Sequence, residues 1–164
     1  MPRARKRSAL PPAKSLGQQV RRCHLRFDRM LTARLVAHDL NSGYWYYLRA
    51  LWTQDGQTQG ELSKVAHVAD NTTTAMINSM IKQGLVQRVR DPEDGRRARI
   101  YLTDRGRALE AELLHYGIEI NAIATRGIAR QEVQTCLSVL ARAAANLQRA
   151  FEPRRATDKR QRGK

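Results

Sequence analysis

The chain has 164 residues, and its 30 lysines and arginines outnumber its 15 aspartates and glutamates, giving a formal net charge of +15. This length suffices for one domain with extensions, and no apolar run reaches the roughly 18 residues of a membrane helix, so we expect no membrane partner. The surplus of positive charge indicates a polyanionic partner, most often nucleic acid.

Much of the positive charge lies at the two ends. Residues 1–16 carry five cations and no acid, and residues 152–164 carry six cations and two acids. Residues 1–15 also contain three prolines and no apolar periodicity. We therefore predict a flexible basic arm at 1–15 and a basic tail at 152–164, which either keep the protein in solution or contact nucleic acid directly.

Two helices are predicted in the first third of the chain. Apolar residues recur every three or four positions in residues 16–38, which indicates an amphipathic helix with arginines on its other face. Asn41 and Ser42 can cap a second helix, rich in aromatic side chains, over residues 43–53.

A capping box marks the third helix. In the Thr58-x-x-Glu61 pattern, the hydroxyl and the carboxylate each satisfy a free backbone N–H at the start of a helix. We expect this helix to end near His67. Its inward-facing residues are predicted to be Leu62, Val65 and Ala66.

A fourth helix is predicted over residues 71–83, with Asp70 as its cap and Gly84 as its stop. One side of this helix is spaced i, i+3, i+4, i+7 and is predicted to face the core. That side consists of Thr73, Met76, Ile77 and Met80.

Two stretches with period-2 alternation follow, at residues 85–90 and 98–102, and we predict a β-hairpin with residues 91–97 as its turn. Thr103 can then cap a long helix that continues to about residue 125. A last helix is predicted over residues 130–151, with Cys136 on its apolar stripe.

Two short helices followed by a hairpin make a winged helix-turn-helix, which we assign to residues 41–103. The predicted fold is therefore mainly α with a small β-hairpin wing, an α+β class. The second short helix of this motif enters the major groove, where asparagine, threonine and serine contact base edges and lysine contacts a phosphate. The DNA-facing residues are predicted to be Asn71, Thr72, Thr74, Ala75, Asn78, Ser79 and Lys82.

The turn of the hairpin carries two arginines, Arg96 and Arg97. A narrow minor groove has an enhanced negative potential that favours an inserted guanidinium. We predict that Arg96 makes this insertion and that Arg97 is the alternative, as a phosphate contact. Asp94 is predicted to support the wing by pairing with one of its arginines.

Residues 60–109 resemble the MarR family (multiple-antibiotic-resistance-type regulators). The preceding aromatic helix and the terminal helices also fit, so the resemblance covers roughly residues 16–151. The marks that carry the resemblance include Glu61-Leu62-Ser63, Gly84-Leu85-Val86, Arg96 and Leu102-Thr103. The sequence departs from the family pattern at Ala75 and Gly95, where a charged residue is frequent. These departures put the base preference in doubt and leave the wing more dependent on Arg96.

The resemblance implies a homodimer, with residues 16–40 and 104–151 as its helical dimerisation region. The residues agree in part, because three long amphipathic helices lie outside residues 41–103, which we call the winged lobe, and one chain offers them little to bury against. A two-fold dimer would place two recognition helices about 34–36 Å apart on a near-palindromic double-stranded DNA site.

Family members respond to small aromatic acids, phenols, acyl thioesters or oxidants, so the resemblance also implies a small-molecule effector near the aromatic second helix. Trp45 falls on a helical core face as well, where a tryptophan usually serves packing. The predicted ligand contacts are His38, Tyr44, Trp45 and Tyr47, with Arg26 and Arg49 as anion partners.

We therefore expect a sequence-specific DNA-binding transcriptional regulator, a repressor released by a small ligand. One alternative is a redox sensor acting through Cys23, whose neighbouring arginines would favour a thiolate if the sulfur is exposed. Another is a general basic nucleic-acid-binding protein with steep salt dependence. The net charge and the wing arginines disfavour a winged-helix module that does not bind DNA. We found no catalytic motif and no metal-ligand spacing, so we expect no enzyme, cofactor or metal. The two cysteines are far apart and form no disulfide framework, so we expect the protein in the reducing cytoplasm.

Overall fold

The structure, a computed structural model, describes residues 11–90 and 98–161, with side chains up to residue 151. Six α-helices make up most of it. They are α1 (Leu16–Leu35), α2 (Tyr44–Thr53), α3 (Gln59–Ala66), α4 (Asp70–Lys82), α5 (Asp104–Ala124) and α6 (Arg130–Gln161). Short 3-10 turns at Pro12–Lys14 and Val36–His38 precede and follow α1. In the described ranges no helix is long and apolar enough to cross a membrane.

Among the described residues, three antiparallel strands form one small sheet in the order β1-β3-β2. They are β1 (Gln57–Thr58), β2 (Val86–Arg90) and β3 (Ala98–Leu102). In β2 and β3, Val86 pairs with Leu102 and Arg90 with Ala98, which confirms the predicted hairpin. The strand β1 was not predicted, because two residues are too few to show a period of 2.

The described chain divides into two compact units, one ending at Ile120 and the other beginning at Asn121. The first unit has one continuous apolar core, to which α1, the winged lobe and α5 all contribute. Its most deeply buried side chains include Leu35, Leu48, Leu51, Leu62, Ile77, Met80, Leu85, Ile100 and Leu113. The lobe thus shares a core with α1 and with α5 up to Ile120, and its division from these helices as a separate region stays a prediction.

Local signals placed several helix starts correctly. Thr58 Oγ1 accepts from the Glu61 N–H at 3.3 Å, and a Glu61 carboxylate oxygen accepts from the Thr58 N–H at 2.7 Å, which confirms the capping box. The Thr58 N–H and, at 2.8 Å, the Thr58 hydroxyl both donate to the Glu61 carboxylate, and these two hydrogen bonds lower the pKa of Glu61. Thr103 also caps as predicted, because its hydroxyl accepts from the Gly106 N–H at 3.1 Å.

Other boundaries differ from the prediction. Asp70 is the first residue of α4, and Ala69 takes the cap position without a side-chain hydrogen bond. The cap position of α2 is Gly43, and the side chain of Asn41, predicted as a cap, accepts from the Gly43 N–H at 2.7 Å.

Val65, predicted to face inward, is 51% exposed because α3 turns it away from the core. The helix α6 ends at Gln161, beyond the expected end at residue 151.

The second unit contains the end of α5 and all of α6. The Glu132 carboxylate reaches back and accepts from the Ala129 N–H at 3.0 Å, which stabilises the start of α6. Among the α6 side chains that the structure describes, none is fully buried in the single chain. Cys136, predicted as an apolar-face residue, is exposed. The large exposed apolar residues of α6 are Leu137, Val139, Leu140, Leu147 and Phe151.

Candidate nucleic-acid interface

The helix α4 has one buried and one exposed face. Thr73, Ile77 and Met80 are fully buried, as predicted, and Met76 is half-buried. The opposite face is exposed and spaced i, i+4, i+7, i+11, which places its side chains in one row. This row, which we call the polar stripe, consists of Asn71, Ala75, Asn78 and Lys82.

Thr72 is exposed beside the polar stripe. Together with the four residues of the stripe, it makes five of the seven predicted α4 contacts that are free to meet a partner surface. Asn71 and Thr72 lie in the first turn, where the Asn71 side-chain oxygen accepts from the Thr72 N–H at 2.8 Å. Lys82 lies in the last turn and brings a positive charge to the far end of the stripe. Small polar side chains with a cation at one end suit contact with base edges and a phosphate.

The other two predicted contacts, Thr74 and Ser79, are half-buried and already hydrogen-bonded. Thr74 Oγ1 donates to the Asp70 carbonyl at 2.8 Å and accepts from the Gln59 amide at 2.5 Å. Ser79 Oγ lies 2.7 Å from the Tyr44 hydroxyl. These bonds connect α4 to α3 and α2, so both side chains also hold α4 in place.

The hairpin contributes a contact that the sequence pattern did not predict. Arg88, exposed on β2, donates from its guanidinium to Asn78 Oδ1 at 3.1 Å. The pattern of residue types does not predict this bond, because it joins a strand to a helix and depends on how the two elements pack. The predicted wing residues Asp94, Arg96 and Arg97 lie outside the described residues, so their roles stay predictions.

The predicted ligand residues of α2 form part of the core of the first unit. Tyr44, Trp45 and Tyr47 are each at most 5% exposed. The Tyr47 hydroxyl lies 3.1 Å from Thr73 Oγ1, and the Trp45 ring packs edge-on against Trp52. A packing role accounts for these three side chains, and a ligand role stays a prediction.

The remaining ligand candidates lie in three different places. His38 Nε2 is 3.1 Å from the Tyr116 hydroxyl, and His38 Nδ1 is 3.4 Å from a Glu112 carboxylate oxygen. Arg26 is exposed on α1 and donates to its own helix. Arg49 lines an open groove of about 380 Å³ between α2 and α3. The structure does not gather the six candidates into one pocket of the single chain.

The packing role of Tyr47 can be tested by Tyr47→Phe. We expect the free energy of unfolding to fall by about 1–3 kcal/mol, because the buried Thr73 hydroxyl loses its partner. Tyr46→Phe is the matched control, because Tyr46 is 45% exposed, and we expect almost no change. Urea unfolding curves of the two variants measure the difference. If the two variants unfold at the same urea concentration, the hydrogen bond between Tyr47 and Thr73 does not stabilise the fold.

Cys23, the redox alternative, is a free and exposed thiol on α1. Within the described ranges, no group of three or more histidine, cysteine, aspartate or glutamate side chains is arranged to hold a metal ion.

Comparison with known proteins places this geometry in a family. The MarR family model matches residues 40–98, which cover the winged lobe as far as the start of β3. The HTH-type transcriptional regulator TtmR of Methylorubrum extorquens is 30% identical over 87 residues, 53% of this chain. This chain spans 45% of the length of that curated relative.

Solved structures match over more of the chain. A probable transcriptional regulator from Pseudomonas aeruginosa is 30% identical with a TM-score of 0.70, over 80% of this chain and 98% of that one. The transcriptional repressor CouR, bound to a 23-mer DNA duplex, is 26% identical with a TM-score of 0.73, over 80% and 94%. PcaV of Streptomyces coelicolor, in complex with its natural ligand, is 25% identical with a TM-score of 0.75, over 84% and 97%.

These matches agree with the fold, in which two short helices are followed by a hairpin and long helices lie at both ends of the chain. The chain belongs to the MarR family of winged helix-turn-helix transcriptional regulators.

Proposed function

We propose that the protein is a repressor that binds double-stranded DNA as a homodimer and is released by a small ligand. The observation that carries the proposal is the polar stripe of α4, which is exposed along its whole length beside the β2–β3 hairpin. CouR, a repressor of the same fold, binds a DNA duplex, which supports this assignment. In this proposal α4 lies in the major groove and the hairpin follows the DNA backbone.

The dimer is proposed from the faces that the single chain leaves uncovered. Leu16, Val20 and Leu25 on α1 are 42–51% exposed, and Leu147 and Phe151 on α6 are more than 60% exposed. Two amphipathic helices with uncovered apolar faces favour association with a second copy. In this division residues 41–103 contact DNA, and residues 16–40 and 104–151 form the interface.

The effector is proposed to be a small aromatic acid, a phenol or an acyl thioester. PcaV is known with its natural ligand bound, which supports a ligand-responsive protein of this fold. The ligand would favour a form of the dimer whose recognition helices no longer match the spacing of the groove, so that DNA binding weakens. Among the candidates, His38 has the most polar surroundings, because Glu112 and Tyr116 both lie within 3.4 Å of its ring nitrogens.

Selection of bound fragments from the organism's own DNA tests the proposed function. We expect near-palindromic sites whose half-sites lie about one helical turn apart, because a two-fold dimer presents two recognition helices. Fragments without a common sequence, bound with a steep salt dependence, would contradict the proposal. That outcome would support general binding through the basic ends of the chain.

The predicted insertion of Arg96 can be tested on the selected operator. We expect Arg96→Ala to weaken binding by about tenfold to a hundredfold, because one base-edge contact is worth roughly 1–3 kcal/mol. Arg97→Ala removes the same charge from the next position and is the matched control. Electrophoretic mobility shifts measure both affinities. If Arg96→Ala binds as tightly as the original protein, Arg96 is not the inserted residue.

A further inference from the structure

The hydrogen bond between Arg88 and Asn78 fixes how the asparagine amide is oriented. A guanidinium has five N–H donors and no acceptor, so only the amide oxygen of Asn78 can face Arg88. The structure has this arrangement, with an Arg88 nitrogen 3.1 Å from Asn78 Oδ1. The Asn78 Nδ2 group, with its two hydrogens, is then the end of the amide that remains for another partner.

This orientation matters for base recognition. An asparagine that recognises adenine uses both ends of its amide, accepting from N6–H and donating to N7. An asparagine whose oxygen already accepts from an arginine keeps only one lone pair and meets a base mainly as a donor. A donor suits guanine, with its two acceptors N7 and O6, or O4 of thymine better than adenine, whose N7 acceptor stands beside the N6–H donor. Cytosine offers only a donor in the major groove and would be disfavoured.

We propose that Arg88 is a specificity-determining residue, which holds Asn78 so that it recognises guanine or thymine by donating a hydrogen bond. The inference rests on the proposed function, in which α4 lies in the major groove. Arg88 acts here as a positioning residue, because its own contact is with Asn78 and the contact with the base is made by Asn78.

A second polar residue of α4 is held in the same manner. The single hydroxyl proton of Thr74 is donated to the Asp70 carbonyl, and Gln59 donates to its oxygen. Thr74 then has its methyl group and one lone pair left for DNA. The methyl group suits contact with the methyl group of thymine. The lobe therefore sets hydrogen-bonding roles on α4 before DNA is bound.

The experiment compares four proteins, the original chain and the variants Asn78→Ala, Arg88→Ala and Arg90→Ala. Arg90 is the matched control, because it is an exposed arginine two residues along the same strand. Each protein is titrated against the selected operator and against operators that carry each of the other three bases at one position. That position is the one at which Asn78→Ala loses its base preference.

We expect Arg88→Ala to change the preference between bases. Freed from Arg88, Asn78 can use both ends of its amide, so the affinity ratio of adenine to guanine or thymine should rise about tenfold. Arg90→Ala should keep the original ratios. Thermal unfolding checks that both variants remain folded, as the exposure of both side chains leads us to expect.

Three results would overturn the inference. Arg88→Ala could weaken binding to all four operators equally and lower the slope of log affinity against log salt by about one, which is typical of a phosphate contact. It could also leave all four affinities unchanged. If Asn78→Ala keeps every base preference, Asn78 does not recognise a base and the inference fails while DNA binding stands. The proposed function itself fails only if the original chain shows no sequence-specific binding.

Discussion

Replacing Gly106 with alanine should destabilise the protein by about 1–3 kcal/mol, the range for overpacking a filled site. A Cβ at position 106 would stand 2.1 Å from the Leu85 carbonyl oxygen and 3.1 Å from Leu102 Cδ2. The carbonyl cannot easily move, because it accepts from the Thr103 N–H at 3.1 Å. At about 2–4 °C per kcal/mol for a chain of this size, Tm should fall by several degrees.

Gly60→Ala is the control for this experiment, because Gly60 also lies in a helix but a Cβ added there would meet no packed neighbour within 4 Å. Alanine has a higher helix propensity than glycine by up to about 1 kcal/mol, so this variant should be as stable as the original chain or more stable. Differential scanning calorimetry measures both. If Gly106→Ala gains stability as well, α5 can shift away from Leu85 and the close approach is not required.

The residues that were predictable from the sequence are those governed by local rules. The Thr58–Glu61 capping box depends on groups three residues apart, and the structure has both of its hydrogen bonds. The buried face of α4 follows from the period of a helix, and Thr73, Ile77 and Met80 are all fully buried. The hairpin followed from period-2 alternation in two adjacent stretches.

What the sequence could not show are contacts between elements distant along the chain. The bonds Gln59–Thr74 and Arg88–Asn78 join residues whose relative position depends on how helices and strands pack. The strand β1 exists because its residues pair with Arg99 and Ile100 on β3, which is far away along the chain. Its own two residues carry no pattern that indicates this pairing.

The aromatic residues of α2 show a second limit. Tyrosines and tryptophans suit both a ligand pocket and a core, and the sequence does not distinguish the two uses. In the structure Tyr44 and Tyr47 direct their hydroxyls to Ser79 and Thr73 of α4. These bonds couple α2 to α4, so a ligand that displaced either ring would also disturb the position of α4.

Ala75→Glu should weaken operator binding by about tenfold or more at roughly 0.1 M salt, because it brings a carboxylate into the polar stripe that we place in the major groove, between two rows of DNA phosphates. The position is exposed and glutamate is a good helix former, so the fold should be retained. In the proposed homodimer each operator meets the substitution twice, which enlarges the loss.

Ala75→Gln is the matched control, since glutamine has almost the same shape without the charge. The affinity difference between the two variants therefore isolates electrostatic repulsion from steric hindrance in the groove. Repulsion between partly solvated charges is screened by salt, so the difference should shrink as the salt concentration rises. Fluorescence anisotropy with labelled operator at several salt concentrations measures it. If both variants bind equally well even at low salt, the polar stripe does not face the DNA, and the contact must come from another surface of the lobe.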